Sequence, residues 1–173
     1  INCCKYNTKY NKFTNSYYGV LTDNPIKNSF KINKNYIITG PNASGKTTFI
    51  KSTLINIIFS QQFGAGYYDK ASILPYHYLH CYINIPDTSD RDSLFQAEAR
   101  QCKEILDKIT INKDKRHFCI FDELFSGTNP YEAVSTAYGY LNYINKNKNI
   151  NFMLTTHYFD LCDKFDNYNY NTC

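Results

Sequence analysis

The sequence predicts an α/β domain: a mostly parallel sheet with helices on both faces, plus a small antiparallel β part near the N-terminus. Short apolar segments that suit buried strands alternate with longer segments whose apolar residues recur at helical spacing. A glycine-rich motif at 40–48 lies directly between one such strand and one such helix, and a second apolar strand ends in Asp122 and Glu123. Alternating strands and helices are typical of a parallel sheet that is covered by helices.

Length and composition indicate one globular domain. The chain has 173 residues, of which 43% are hydrophobic and 20% are charged, and this is enough for a sizeable core. A net charge of +4 is only mildly basic, so charge alone does not indicate nucleic-acid binding. No apolar run approaches the roughly 18–20 residues that cross a bilayer, and no signal peptide opens the chain, so no membrane partner is predicted.

The seven cysteines include no C-x-x-C pair, and their odd number fits a reducing intracellular compartment, the cytoplasm or the nucleus. We expect Cys102 and Cys119 to be reduced core residues. The excess of Asn, Ile, Lys and Tyr suggests an AT-rich genome of origin. The chain starts without Met and ends in a polar segment, so we expect a fragment of a longer protein.

Four segments are assigned before the glycine-rich motif. Residues 1–16 are polar and lack a clear period, so we interpret them as a tail or the end of a preceding segment. Residues 17–21 are a candidate strand, and residues 26–32 alternate apolar and polar side chains as a strand does. Residues 36–39 are short and apolar and predict a buried strand.

Residues 40–48 match the phosphate-binding pattern G-x-x-x-x-G-K-[ST] without a gap. Its glycines let backbone N–H groups turn toward phosphate oxygens, and the following helix N-terminus adds positive potential. We expect Lys46 to reach the β- and γ-phosphates of a nucleotide and the Thr47 hydroxyl to ligate Mg²⁺. A chance glycine turn before a helix would not require all four fixed positions. The predicted nucleotide-binding residues are Gly40, Pro41, Asn42, Ala43, Ser44, Gly45, Lys46, Thr47 and Thr48.

Several elements follow this motif. The apolar spacing predicts a helix from Thr48 to about Ser60, and a glycine-broken connection comes next. Residues 71–74 and 80–85 are short strands, and residues 87–92 form a polar loop rich in capping residues. A helix is predicted from Ser93 to about Ile109.

Residues 117–123 form an apolar strand that ends in two acids, which is the Walker B arrangement. Asp122 is expected to hold Mg²⁺ through water, and Glu123 to polarise the attacking water as a general base. A buried strand that meets two surface acids is the alternative, and the loop at 40–48 favours the catalytic interpretation. A helix is then predicted from Pro130, at its first turn, to about Asn145. A strand at 150–156 and a short helix at 158–164 complete the pattern.

These motifs together resemble the ATPase domain of the MutS family of DNA mismatch-repair proteins, an ABC-class P-loop ATPase. The resemblance covers residues 17–165, and residues 166–173 are assigned to a truncated C-terminal tail. The blocks that carry it are Gly40 to Thr48, Ser93-Leu94-Phe95-Gln96-Ala97-Glu98, Phe121-Asp122-Glu123, Gly127-Thr128-Asn129 and Thr155-Thr156-His157-Tyr158.

The resemblance implies a homo- or heterodimeric, Mg²⁺-dependent ATPase whose two composite sites form across the subunit interface. Ser93 would meet the γ-phosphate held by the opposite subunit, although by itself it equally suits a helix cap. His157 would sense the γ-phosphate, although a histidine at a strand end is often an ordinary, partly buried residue. Gln62 would lie near Mg²⁺ or water. The dimer-facing loop would comprise Ser126, Gly127 and Thr128.

The resemblance also implies ATP-driven dimerisation that switches a DNA-bound clamp, with slow hydrolysis by the isolated module. DNA contact, to mismatched or branched duplex, would come from domains that these residues do not include. The chain has Ser126 to Pro130 where the family more often has Arg-Gly-Thr-Ser-Thr, and Leu94 where Thr is usual. These departures indicate a divergent member.

Three other functions remain alternatives. A transporter or chromosome-organising ATPase is related, but a transporter would need an L-S-G-G-Q-like signature where this chain has Asp92 to Phe95. A non-hydrolysing module would use ATP only to hold a dimer together, and the presence of Glu123 and His157 argues against it. A P-loop kinase would need a lid with arginines, which the sequence does not offer.

Overall fold

A computed structural model describes residues 1–21, 23–83, 93–165 and 171–172. The strands are β1 (Asn2–Tyr6), β2 (Asn11–Ser16), β3 (Asn28–Ile32), β4 (Tyr36–Ile38), β5 (Ala65–Gly66), β6 (Lys70–Ile73), β7 (Tyr78–Tyr82), β8 (His117–Asp122), β9 (Ile150–Thr155) and β10 (Asn171–Thr172). The helices are α1 (Lys46–Phe63), α2 (Leu94–Ile111), α3 (Pro130–Asn145) and α4 (Phe159–Phe165). The predicted polar loop at 87–92 lies outside the described residues.

The central sheet has the order β10-β4-β9-β8-β7, and every neighbouring pair is parallel. Its register pairs Thr155 with Ile38 on one side and with Asp122 on the other. Because parallel strands end at the same edge, the segments that follow β4, β8 and β9 come together there. The prediction of an α/β domain with a mostly parallel sheet is confirmed.

Successive residues of the central strands enter two different cores, as the alternation of side chains along a strand requires. Ile37 and Phe121 pack with apolar residues of α2, α3 and α4. Ile38 and Ile120 face the other way and pack with α1 and with the second sheet. Both faces of the central sheet are therefore covered by helix, and one of them is also covered by β-structure.

The second sheet has the order β3-β2-β6-β1-β5 and is mixed, because β1 and β6 are parallel while the other pairs are antiparallel. We predicted a small antiparallel β part near the N-terminus. The structure corrects this, because the sheet is mixed and also includes β5 and β6. Strands β5 and β6, which follow α1, return to pair with β1 and β2.

The interpretation of residues 1–16 as a tail is wrong, because β1 and β2 lie within this sheet. Phe13 is fully buried against Phe30 and Tyr68. One large apolar side chain in a polar segment produces no periodic signal, and the pairing partners are distant in sequence. The predicted strand at 17–21 is also wrong, since the Leu21 N–H donates to the Tyr18 carbonyl in a turn.

Part of the predicted C-terminal tail joins the central sheet, where β10 pairs with β4. Residues 166–170 and 173 lie outside the described residues. In the described part of the chain, none of the helices is both long and apolar enough to cross a membrane.

The two cysteines that we expected in the core are buried there. Cys102 lies on α2 and Cys119 on β8, and both thiols are free. Burial raises the pKa of Cys102 to about 12, with the nearby Glu98 carboxylate as a second cause. Burial also raises the pKa of Cys119. Both side chains therefore act as small apolar groups in the core.

Candidate functional site

The loop between β4 and α1 adopts a backbone that suits its sequence. Gly45 has a φ of 93°, in the left-handed region that residues with a Cβ avoid. It directly precedes α1, whose first N–H groups lack partners within the helix. A cavity of about 430 Å³ lies there and is lined by Asn42 to Thr48 together with Glu123. The helix N-terminus and the loop thus form a concave site with positive potential.

Lys46 is a buried cation that bends back over this loop. Its Nζ donates to the carbonyl oxygens of Gly40 and Pro41, at 2.8 and 3.0 Å. An ammonium carries three N–H donors, and these carbonyls use two of them. Lys46 therefore holds a positive charge within the loop that precedes its helix.

The two predicted magnesium ligands are in direct contact. Thr47 Oγ1 donates to Asp122 Oδ1 at 2.9 Å, and Thr155 Oγ1 donates to the same oxygen. Thr155 was not among the predicted site residues, although it is the register partner of Asp122 on the adjacent strand. A carboxylate and a hydroxyl side by side are the oxygen donors that Mg²⁺ takes together with phosphate and water. The donor set fits this ion.

Glu123 follows β8 in a left-handed conformation, with a φ of 54°. A residue with a side chain rarely adopts this conformation, and such strain is concentrated at functional sites. Its backbone N–H donates to the Thr155 carbonyl at 3.0 Å, which fixes the turn. The side chain is 37% exposed, and its Oε1 lies 3.5 Å from Nδ1 of His157. A carboxylate and an imidazole are thus adjacent at the end of the sheet.

His157 and Tyr158 are in contact, with their ring centres 4.2 Å apart. Partial burial raises the pKa of Tyr158, and the Glu123 and Glu98 carboxylates add to this effect. Tyr158 therefore lies close enough to both carboxylates for their negative charge to disfavour ionisation of its hydroxyl. Tyr158 is part of the motif at residues 155–158, but the sequence assigned it no role.

Ser93 is the N-cap of α2. Its hydroxyl accepts from the N–H of Gln96, and the Gln96 side chain accepts from the N–H of Ser93. These two bonds form a capping box, so Ser93 serves as a helix cap, which was one of its two sequence interpretations. The hydroxyl acts here as an acceptor, so its own hydrogen can still be donated. Ser93 is not among the described residues that line the loop cavity.

The predicted dimer-facing loop lies against the start of the same helix. A Cβ on Gly127 would come within 2.8 Å of Leu94 Cγ and within 2.9 Å of the Phe95 backbone nitrogen, so only glycine fits there. The buried Glu98 carboxylate accepts from the N–H groups of Ser126 and Gly127, at 2.9 and 3.1 Å. We call Ser93 and residues 126–128 together the α2–loop surface. Sequence reasoning missed Glu98, whose contacts are almost thirty residues away along the chain.

Gln62 is not part of the site. Helix α1 continues to Phe63, so Gln62 lies in its last turn and is exposed, rather than in a loop near Mg²⁺. At the rise of an α-helix it is about 24 Å along the axis from Lys46. The prediction for Gln62 is wrong because the helix is longer than its apolar spacing indicated.

A second, more apolar cavity of about 470 Å³ adjoins the loop. It opens between Ser44 to Phe49 and the segment that precedes β4. None of the residues that line only this cavity was assigned a site role from the sequence. Its apolar lining residues include Tyr18, Leu21, Ile26, Phe30, Tyr36 and Phe49.

The comparisons with known proteins agree on one family. A family model described as MutS domain V matches residues 36–172. The protein named DNA mismatch repair protein MutS from Clostridioides difficile is 31% identical over 128 residues, 73% of this chain and 13% of that protein. The protein of the same name from Orientia tsutsugamushi is 33% identical over 132 residues, 74% of this chain and 14% of that protein. Endonuclease MutS2 from Fusobacterium nucleatum is 32% identical over 148 residues, 75% of this chain and 17% of that protein. The chain therefore matches only a small part of each relative.

Proposed function

The chain belongs to the MutS family through its match to MutS domain V, and on that premise we propose that it is an ATP-binding and ATP-hydrolysing module. One observation carries the proposal. Lys46, Thr47, Asp122 and Glu123 come from two distant parts of the sequence and meet at the N-terminus of α1. That group combines a cation, a hydroxyl–carboxylate pair and a second carboxylate, which are the side chains that phosphoryl transfer to water needs.

The nucleotide would bind across the two adjoining cavities. Backbone N–H groups of the loop and the start of α1 would hold the phosphates, with Lys46 moving from the loop carbonyls to the β- and γ-phosphates. The base would enter the apolar cavity, where Phe30 and Phe49 are in edge contact with ring centres 4.9 Å apart. Apolar and aromatic walls beside a phosphate-binding loop suit a purine ring.

Hydrolysis would proceed by in-line attack of water on the γ-phosphate. Mg²⁺, when bound, would neutralise charge on the phosphate oxygens, and Thr47 and Asp122 would hold it. Glu123 would orient and polarise the attacking water as general base. His157, beside Glu123, would respond to the γ-phosphate, and Ser93 would act on the γ-phosphate of a second subunit.

The wider role is that of a module in a MutS-like DNA mismatch-repair protein. Relatives named as DNA mismatch repair proteins are matched over only 13–16% of their length. DNA, as mismatched or branched duplex, would therefore be contacted through parts of such a protein that this chain does not span. ATP-driven association at the α2–loop surface, with an identical or a related subunit, would switch a DNA-bound clamp. An intracellular location stays a prediction.

The test is ATP turnover measured against protein concentration for the wild type and for Glu123→Gln. We expect turnover to rise more steeply than linearly in the wild type. Glu123→Gln should lose about 100-fold in turnover, because the general base is gone, while it still binds ATP and forms a trapped dimer. ATP-dependent dimerisation would be followed by light scattering.

Glu104→Gln is the matched control, because Glu104 is an exposed carboxylate on α2 and should leave turnover unchanged. Turnover strictly proportional to enzyme, with no dimer in either protein, would indicate a self-contained P-loop enzyme. ATP-dependent dimerisation without hydrolysis in the wild type would favour the non-hydrolysing module. Absence of nucleotide binding would overturn the whole proposal.

A further inference from the structure

Glu98 is a carboxylate that the proposed chemistry does not use. Its residue is only 2% exposed, although it lies one turn from the exposed start of α2. Buried carboxylates are costly unless they are paired or fully hydrogen-bonded. Its position therefore calls for a partner.

That partner is the loop at residues 126–127. Glu98 Oε1 accepts from the Ser126 N–H at 2.9 Å and from the Ser126 hydroxyl at 3.0 Å. Glu98 Oε2 accepts from the Gly127 N–H at 3.1 Å. Hydrogen bonds to a charged acceptor are the stronger kind, and here three of them converge on one side chain.

The same face of α2 also contacts this loop through apolar groups. Leu94 lies four residues before Glu98 and so shares its helix face. Leu94 stands against Gly127, and the ring centres of Phe95 and Phe125 are 5.7 Å apart. The start of α2 and the loop are therefore held together by both charge and packing.

The loop at residues 126–127 begins three residues after Glu123, the proposed general base. Leu124 and Phe125 are buried between Glu123 and Ser126, and both Glu123 and Phe125 have left-handed backbone conformations. A short segment that is buried and conformationally restricted transmits a displacement, because it has few ways to absorb it.

We propose that Glu98 is a positioning residue that locks the start of α2, and with it Ser93, to the loop that follows Glu123. A subunit that docks on the α2–loop surface would then set the geometry of Glu123 in the same chain. This rests on the proposed function, because it assumes that Glu123 acts on nucleotide and that the surface meets a second copy. Glu98 itself would touch neither the nucleotide nor the second copy.

Glu98→Gln tests the lock. The amide keeps the shape of the side chain but has one acceptor oxygen, so it places an N–H donor against either Ser126 or Gly127. We expect amide hydrogen exchange at Ser126 and Gly127 to rise about 10-fold or more, because both residues are exposed and depend on Glu98 for these bonds. Turnover should fall about 10- to 100-fold from misplacement of Glu123, with ATP affinity within about twofold of wild type.

Two further variants keep the test decisive. Glu104→Gln, on the same helix, should change neither exchange nor turnover. Ser126→Ala removes the hydroxyl bond to Glu98 at an exposed position and should fold normally. Because Ser126 also belongs to the surface proposed to meet a second subunit, its readout is amide exchange at residues 126–127, which we expect to rise by about two- to threefold. It gives a graded reading even if Glu98→Gln does not fold.

The outcomes separate this proposal from the proposed function. Unchanged exchange at residues 126–127 in Glu98→Gln would overturn the lock. Raised exchange with unchanged turnover and unchanged ATP-dependent dimerisation would overturn the coupling to Glu123. If the wild type binds no ATP, the proposed function fails instead, and the coupling fails with it, while the exchange data still decide whether Glu98 holds the loop.

Discussion

The loop between β4 and α1 and the α2–loop surface are built in opposite ways. In the loop, functional side chains already have partners within the chain: Lys46 donates to backbone carbonyls of the loop, and Thr47 donates to the Asp122 carboxylate. On the α2–loop surface, Ser126 and Gly127 are exposed, and a single buried carboxylate behind them fixes their backbone. The first region has its binding groups within one chain. The second presents its groups outward, where we propose that a second subunit contacts them.

This contrast predicts the largest effect at Lys46. Lys46→Met removes the only cation that the described structure places inside the loop cavity, while it keeps an unbranched side chain of similar length. We expect nucleotide affinity and turnover both to fall, turnover by about 100-fold or more, because the ammonium stabilises the bound phosphates and stabilises the developing charge of the transition state still more strongly. Titration with a fluorescent ATP analogue and a phosphate-release assay measure the two quantities.

Lys148→Met, at an exposed position after α3, is the matched control and should leave both quantities unchanged. If Lys46→Met kept wild-type nucleotide affinity, the loop would not be the phosphate site. The loop could then no longer be contrasted with the α2–loop surface as a binding region complete within one chain.

An intermediate effect on turnover is expected at Ser93, where the helix cap and the proposed contact with a second subunit can be separated. Ser93→Ala should lose about 1 kcal/mol of stability with the cap. Ser93→Asn keeps a good capping side chain but has no hydroxyl. If the hydroxyl acts on a second subunit, both variants should lose turnover by about 10-fold and keep ATP affinity, and only Ser93→Ala should lower the Tm.

Thermal unfolding and turnover at several protein concentrations distinguish these cases. Wild-type turnover in Ser93→Asn would leave Ser93 as a helix cap alone.

The smallest effect on turnover is expected at His80, which lies outside both regions. Its Nε2 lies 3.0 Å from Nδ1 of His117, and burial, with His117 as a second cause, lowers its pKa to about 4. The unfolded chain therefore binds this proton more tightly, so stability falls as the pH drops from about 6.5 to about 4. His80→Gln should remove about 1–2 kcal/mol of that loss, with turnover at neutral pH unchanged.

Urea unfolding at pH 7 and pH 5 measures this difference. The same pH slope in His80→Gln as in the wild type would contradict the assignment, and lower turnover at neutral pH would show that His80 is coupled to the nucleotide site.

Local patterns accounted for the central sheet and the loop, because both depend on short stretches of sequence. A run such as residues 118–121 is apolar throughout, as a strand covered on both faces must be, and the loop pattern specifies a backbone that glycine permits. The same reasoning missed β1 and β2, where pairing partners more than fifty residues away decide the structure. It also placed Gln62 wrongly, since the end of a helix is set by packing as well as by apolar spacing.

The sequence by itself therefore determined the α/β class, the phosphate-binding pattern and the positions of Asp122 and Glu123, because each is encoded within a few consecutive residues. Only the tertiary structure decided that Thr155 shares the oxygen of Asp122, that an apolar cavity adjoins the loop, and that Glu98 holds residues 126–127. These contacts join groups that are far apart in the chain, and their energy comes from desolvation and geometry that exist only after folding.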